Sequence, residues 1–157
     1  MHAALPRMRT GKEISMIIHA PQLGLFEAFI CELPRPPSVN SLFRNPSRKD
    51  GKRIGRIKTK EYQAWAQKAG WLLLKERAPK LDCAYELTIA LGRRKGSDLD
   101  NYAKAVSDLL VSLKVVRDDS DCERLVLEWA DDLAAARCRI TLAPCRNKSS
   151  TIARAKG

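Results

Sequence analysis

Four short stretches of the chain alternate hydrophobic and polar residues, which is the pattern of strands with one buried face. They are residues 28–33, 84–91, 124–129 and 137–142. The first stretch stops at Pro34, because proline cannot donate a hydrogen bond to a neighbouring strand. The last two stretches flank Asp131-Asp132, a polar pair typical of turns, and this arrangement predicts a hairpin.

Two longer stretches place apolar residues at helical spacing. The first predicted helix covers residues 59–77, with Thr59 as its N-cap. Its tryptophans, Trp65 and Trp71, are both expected to anchor the core. The second predicted helix covers residues 100–113. Its apolar stripe consists of Tyr102, Val106, Leu109, Leu110 and Leu113.

The predicted elements follow the order strand, loop, helix, strand, helix, strand, strand. This order predicts an α/β or α+β fold, with a single mixed β-sheet packed against helices. The 157 residues suffice for one domain. We expect a loosely attached N-terminal extension at residues 1–24, a folded domain at 25–143 and a basic C-terminal tail at 144–157.

Positive charge dominates the composition, with 29 Lys and Arg residues against 18 Asp and Glu and a formal net charge of +11. Such a bias points to a polyanionic partner, with nucleic acid the leading class. Nine of these basic residues fall within residues 35–60, where Asp50 is the one acidic residue. The dipeptide Asp50-Gly51 is a hairpin-turn signal, so this segment is either a basic β-ribbon or a mobile loop.

Histidine occurs only at His2 and His19, both in the predicted extension. From residue 20 onward no imidazole can act as a base or metal ligand, so Ser-His-Asp, Cys-His and His-metal schemes lose their central group. No Walker A, G-x-S-x-G, H-E-x-x-H or dinucleotide-binding motif occurs. Acid–base chemistry must therefore rest on carboxylates, lysines and any metal that they hold.

The five cysteines are widely spaced and include no C-x-x-C pair, which argues against a zinc knuckle and a disulfide framework. Their neighbours are mostly strand-like, so buried reduced thiols are expected. No uncharged apolar stretch reaches the roughly 18 to 20 residues of a membrane-spanning helix. These features predict a cytoplasmic protein with no membrane partner.

Acidic residues concentrate at two points of this basic chain. Asp98 and Asp100 lie at the start of the second predicted helix, and Asp118 and Asp119 lie beyond its end. If residues 97–100 are extended, Asp98 and Asp100 point to the same side. Converging carboxylates repel, and a hard cation such as Mg²⁺ removes that cost with oxygen ligands. With Asp119 as third ligand, this set predicts metal-assisted phosphodiester hydrolysis.

The same residues also have structural interpretations. Asp98 or Ser97 could be a helix N-cap, with Asp100 interacting favourably with the helix dipole. Lys104 lies four residues from both Asp100 and Asp108, an ordinary spacing for helical salt bridges. The second acidic pair could form only a polar turn. Taken alone, these spacings leave the metal site and the structural interpretations open.

Several motifs follow one another in a specific order. Arg93-Arg94-Lys95 precedes Asp98-Leu99-Asp100-Asn101, Lys104 follows one turn later, and Asp118-Asp119 follows the helix. Earlier in the chain, Pro36-Pro37-Ser38-x-Asn40 ends the first predicted strand. Together, over residues 29–142, these motifs resemble the RusA family of Holliday junction resolvases.

The resemblance implies a RusA-like, homodimeric, Mg²⁺-dependent endonuclease that resolves four-way junction DNA by paired symmetric cuts in recombination and repair. Such enzymes are often encoded by phages and prophages. Asp98, Asp100 and Asp119 match the family's metal ligands, and Lys104 matches its essential lysine. Mg²⁺ is the expected cofactor, with Mn²⁺ able to substitute, and no small-molecule substrate is expected. The side chains expected to contact the DNA backbone are Arg44, Arg48, Lys49, Lys52, Arg53, Arg56, Lys58, Arg93, Arg94 and Lys95.

Two other classes fit the same residues. The chain could be a structure-selective DNA-binding protein without turnover, in which the acidic residues act as caps. It could also be a metal nuclease that acts on flaps or RNA. Incision of a four-way junction, compared with incision of the other substrates, separates these classes.

Overall fold

The computed structural model of the protein describes residues 28–45 and 55–145. The extension predicted at residues 1–24 and the tail predicted at 144–157, apart from its first two residues, lie outside this part of the chain. No helix in the described part is long and apolar enough to cross a membrane. The strands are β1 (Phe29–Pro34), β2 (Phe43–Arg44), β3 (Ile57–Lys58), β4 (Tyr85–Gly92), β5 (Cys122–Ala130) and β6 (Arg137–Pro144), and the α-helices are α1 (Lys60–Lys75) and α2 (Ala103–Ser112).

The N-terminus of α1 forms as its sequence predicts. Thr59 is the N-cap, and its hydroxyl oxygen accepts a hydrogen bond from the Tyr62 amide at 3.1 Å. Trp65 is buried in the core, as predicted. The prediction for Trp71 is wrong, since its side chain is 61% exposed. Six residues turn an α-helix by about 240°, so the two tryptophans lie on different faces of α1.

The strands form one mixed sheet in the order β1-β6-β4-β5. β4 pairs in parallel with β5 and antiparallel with β6, and β6 also pairs antiparallel with β1. The helices pack on the apolar face of this sheet and complete one core. The predicted fold class is thereby confirmed. The strand residues buried on this face are Cys31, Leu33, Tyr85, Leu87, Ile89, Leu91, Cys138, Ile140 and Leu142.

The hairpin predicted for the last two strands is wrong. β5 reaches the sheet through α2 and takes one edge of β4, while β6 fills the space between β4 and β1. Without β6, the backbone N–H and C=O groups on the second edge of the buried strand β4 would have no hydrogen-bond partners. The connection at residues 131–136 therefore crosses the end of β4. It passes so close that a Cβ atom at Gly92 would overlap the Ala134 carbonyl.

The second predicted helix begins differently from the prediction. The chain first forms a 3-10 turn at Leu99–Tyr102, and α2 starts only at Ala103. Short 3-10 turns are common at helix N-termini, where backbone amides have no partner one α-helical turn earlier. The apolar stripe is nevertheless buried as expected at Tyr102, Val106, Leu109 and Leu110.

The cysteines are free thiols, but only two of the five are buried. Burial raises the pKa of Cys31 to about 11 and that of Cys138 to about 12. Cys83 is exposed, and Cys122 and Cys145 are half-buried. The prediction that the thiols are buried is wrong for these three, because they lie at or beyond strand ends rather than within the apolar face.

Candidate active site

The first acidic pair lies in the tight connection between β4 and α2. Gly96 has a φ of 71°, a left-handed conformation that glycine adopts without steric cost. Asp98 then has extended backbone angles, whereas Asp100 lies inside the 3-10 turn Leu99–Tyr102. The extended arrangement considered for residues 97–100 is therefore wrong at Asp100.

Asp98 and Asp100 are both exposed. Asp98 occupies the N-cap position of the 3-10 turn, but its side chain makes no capping hydrogen bond. Among the described residues, neither carboxylate belongs to an ion pair. The capping interpretation therefore does not apply to Asp98, and both carboxylates are accessible from solvent.

Lys104 links the first turn of α2 to the second acidic segment. Its Nζ lies 2.6 Å from Asp108 Oδ1 and 3.4 Å from Asp119 Oδ2. The predicted salt bridge with Asp108 is confirmed, whereas no ion pair with Asp100 is present. The hydrogen bond to Asp108 raises the pKa of Lys104 in spite of partial desolvation, and Asp119 raises it further. Lys104 is therefore a cation at neutral pH.

The second acidic segment contains a 3-10 turn, Asp119–Asp121, directly before β5. Asp118 caps this turn, because its Oδ1 accepts a hydrogen bond from the Ser120 amide at 2.8 Å. That hydrogen bond lowers the pKa of Asp118. Asp121 pairs with Arg117 at 2.7 Å. The polar-turn interpretation thus holds for Asp118, while the half-exposed Asp119 carboxylate contacts Lys104.

Three accessible aspartates form a donor set that suits a hard divalent cation in chemical terms. The 3-10 turn that bears Asp100 contacts β5, and the turn that begins at Asp119 contacts α2. However, within residues 28–45 and 55–145, no three His, Cys, Asp or Glu side chains are gathered closely enough to hold a metal ion. The structure therefore joins Asp119 to Lys104 but does not gather Asp98, Asp100 and Asp119 into one ligand group.

Three basic residues precede residues 98–102, the acidic turn that bears Asp98 and Asp100. Arg93, Arg94 and Lys95 are exposed directly after β4. The Nε of Arg93 lies 3.1 Å from Asp131 Oδ1, so part of its charge is already compensated. Among the described residues, Arg94 and Lys95 form no ion pair. These two side chains are therefore available to an anionic ligand.

Of the two alternatives predicted for residues 35–60, the basic ribbon is present at its base, where β2 and β3 pair antiparallel. The Arg56 guanidinium lies 4.9 Å from the centre of the Phe43 ring, and Lys58 Nζ lies 5.2 Å from that of Tyr62. These contacts hold Arg56 and Lys58 beside aromatic rings. Arg44 is also exposed. The other candidate DNA contacts of the ribbon, Arg48, Lys49, Lys52 and Arg53, lie outside the described residues.

Arg35 is a residue whose role the sequence did not reveal. Its Nη1 donates to the carbonyls of Gly92 at 2.7 Å and Ala135 at 2.8 Å, and its guanidinium lies 4.4 Å from the centre of the Tyr102 ring. Arg35 thereby ties the end of β4 and the connection at residues 131–136 to the turn that bears Asp100. Its position directly after the strand-ending Pro34 was the one available signal, and the general excess of basic residues obscured it.

Comparison with known protein families matches residues 34–143 to a family described as endodeoxyribonuclease RusA. No match was found among curated proteins. The matched residues include the Pro-Pro-Ser turn, the acidic turn, Lys104 and the second acidic segment. Since they make up most of the chain, the protein belongs to the RusA family of endodeoxyribonucleases.

Proposed function

We propose that this chain is a Mg²⁺-dependent, structure-specific endodeoxyribonuclease that resolves Holliday junctions by paired symmetric cleavage. The observation that carries the proposal is the contact of Lys104 with Asp119, two residues separated by 15 positions. It joins a cation to an accessible carboxylate, and α2, which bears Lys104, follows directly on the turn that bears Asp100. Membership of an endodeoxyribonuclease family supports the same conclusion.

Each charged group of this region has a distinct role in the proposal. Asp98, Asp100 and Asp119 would hold Mg²⁺, which when bound supplies Lewis-acid stabilisation of the phosphate and a more acidic water molecule. Lys104 is protonated, so its charge would offset that of a phosphate oxygen. Arg94, Lys95 and the ribbon cations would hold the DNA backbone without reading its sequence.

The paired cuts require two active sites. A four-way junction has approximate two-fold symmetry, so cleavage at symmetric positions is simplest for an enzyme with a two-fold axis. We therefore include a homodimer in the proposal, acting on DNA in the cytoplasm. Mass measurement of the chain in solution, alone and with junction DNA, tests the dimer separately from cleavage.

The experiment that tests the function uses an end-labelled four-way junction and a linear duplex of matched sequence. The protein is incubated with each DNA in Mg²⁺, in Mn²⁺ and in EDTA. We expect symmetric nicks in the junction only, dependent on metal. Asp98→Asn should abolish cutting and preserve binding, because it removes a metal ligand and a negative charge. Asp82→Asn, which removes an exposed carboxylate before β4, is the matched control and should cut normally.

A second candidate is a junction-binding protein without turnover. It is favoured by one observation, namely that the described residues gather no group of three metal-binding side chains. Tight junction binding that Asp98→Asn leaves unchanged, with no incision in any metal, would establish this candidate. A panel of flaps, nicked duplexes and RNA at equal salt would show whether a different substrate is preferred.

A further inference from the structure

A cleft of about 570 Å³ opens beside the turn that carries the acidic residues. Its walls come from residues 34–38 at the end of β1, the first turns of α1, the connection at residues 131–136, and the residues Arg94 and Tyr102. The volume falls within the roughly 300 to 1,000 Å³ typical of small-ligand sites. Arg94 and Tyr102 flank Asp98 and Asp100 in the chain, so the cleft adjoins the candidate active site.

Two aromatic residues of the cleft are held in place by neighbouring groups. The indole Nε1 of Trp65 donates a hydrogen bond to the Pro34 carbonyl at 2.9 Å. The ring of Tyr102 stacks on the Arg35 guanidinium, with 4.4 Å between them. The prolines Pro36 and Pro37 extend this apolar wall. Trp65 and Tyr102 are each only 7% exposed, so a small, fixed part of each ring reaches the cleft, and a ligand would meet it together with the prolines.

The polar groups of the cleft favour an anion near its mouth. Arg94 is exposed and has no ion-pair partner among the described residues. Glu61 adds one acceptor on the α1 side. The cleft thus combines an apolar wall, a cationic side and a separate hydrogen-bond acceptor.

We propose that this cleft binds one unstacked nucleotide of the DNA strand, next to the phosphodiester that is cut. Its base would lie against the aromatic wall, its phosphate at Arg94, and an amino group of the base, where present, would face Glu61. This inference rests on the proposed function and adds a reason for its substrate preference. Removing a base from a paired duplex costs free energy for unstacking and unpairing, and this cost is lowest where those contacts are already weakened. A junction centre therefore supplies such a nucleotide more easily than a linear duplex does.

The test uses the full-length chain labelled with ¹⁵N and the deoxydinucleotide TpT. The protein has three tryptophans, whose indole N–H signals are assigned with Trp71→Phe and Trp129→Phe variants. We expect TpT to shift the Trp65 signal in a saturable manner and to leave the exposed Trp71 signal unchanged. Inorganic phosphate at the same concentration should produce less than a tenth of the Trp65 shift.

Arg94→Ala should raise the dissociation constant for TpT about tenfold, the size of one lost charge-assisted hydrogen bond. Lys75→Ala is the matched control, because it removes an exposed positive charge in the last turn of α1, away from Trp65 in its second turn. An unchanged Trp65 signal, an equal shift of Trp71, or an equal effect of phosphate would overturn the nucleotide site.

Junction cleavage measured in parallel separates the two proposals. If the wild type cuts junctions and TpT does not shift Trp65, the cleft inference fails and the proposed function stands. If TpT shifts Trp65 as expected and no DNA is cut, the nucleotide site stands and the proposed catalytic function fails.

Discussion

Lys104 lies between two carboxylates with different surroundings. Asp108 is one helical turn away on α2 and only 22% exposed, whereas Asp119 belongs to another segment and is 53% exposed. The short contact of 2.6 Å with Asp108 holds the lysine in place. The longer contact with Asp119 is the one that a phosphate or metal ion could replace. We therefore assign the positioning of Lys104 to Asp108, and we expect the lysine to meet the substrate on the side that faces Asp119.

Lys104→Ala should reduce single-turnover cleavage of the junction by at least about tenfold, the effect of losing one charge-assisted contact. The free energy of unfolding of the Lys104→Ala variant should fall by only a few tenths of a kcal/mol, because both ion pairs of Lys104 are screened by solvent. Lys104→Arg retains the charge and should keep more activity. Normal cutting by Lys104→Ala, measured beside urea denaturation, would reduce the residue to a salt-bridge partner.

The pH dependence of cleavage follows from the raised pKa of Lys104. Asp108 and, to a smaller extent, Asp119 move this pKa above the usual 10.5, although desolvation acts in the opposite direction. A raised folded-state pKa means that Lys104 is charged below about pH 10.5, and that its ion pairs are lost only at higher pH. Between pH 7 and pH 9.5, the rate profiles of wild type and Lys104→Arg should therefore be parallel. A fall in rate within this range that occurs only in the wild type would show that Lys104 loses its proton there.

Two glycines show how differently the elements tolerate a side chain. Gly70 lies within α1, where an added Cβ would be 3.5 Å from Leu113 Cδ1, an ordinary packing distance. Gly92 ends β4, where an added Cβ would overlap the backbone of Ala134. The helix position is therefore open to substitution. The strand position is closed by the connection that crosses it.

Gly70→Ala should raise the free energy of unfolding by about 0.5 to 1 kcal/mol, because alanine loses less backbone entropy in a helix. Gly92→Ala should lower it by about 1 to 3 kcal/mol, the usual cost of overpacking. Gly55→Ala, with no atom within 4 Å of the added Cβ, is the control and should change little. Denaturant titration measures all three, and equal effects at positions 70 and 92 would contradict the crossing of β4 by residues 131–136.

At the scale of the whole molecule, charge rather than shape dominates the expected contact with DNA. The chain carries a formal net charge of +11. Arg44 and Arg56 on the ribbon and Arg94 and Lys95 after β4 are exposed. Contacts of such cations with phosphates release counterions, so affinity depends strongly on salt and little on sequence.

Binding of junction DNA should weaken linearly on a plot of log affinity against log salt. The slope should decrease in magnitude by about 0.9 for each phosphate contact removed, so Arg94→Ala and Arg56→Ala should each flatten it by about that amount. Lys75→Ala serves as the control for net charge alone. Junctions with scrambled arm sequences should bind equally well, and a large preference among them would point to base-specific contacts instead.

Much of the local structure was predictable because its causes lie within a few residues. The Thr59 cap and the alternation in β4 correspond to hydrogen bonds and side-chain directions set by neighbouring positions. The acidic turn and Lys104 were identified from composition, spacing and resemblance. The prediction that β5 and β6 form a hairpin was wrong because strand order depends on which edges of β4 still lack a pairing strand. The prediction that Trp71 is buried was wrong because its face of α1 meets solvent rather than the sheet.

The sequence by itself determined the four strands of the main sheet, the two helices, the fold class, the family and the list of candidate acidic and basic residues. The elements follow from side-chain periodicity and caps, which act over short separations in the chain, and the family follows from the order of motifs over residues 29–142. Only the tertiary structure decided that Lys104 reaches Asp119, that Arg35 supports the acidic turn, and that a cleft opens beside it. Those contacts join segments 15 to 100 residues apart. Their geometry exists only once α2 has crossed the sheet and β6 has entered between β1 and β4.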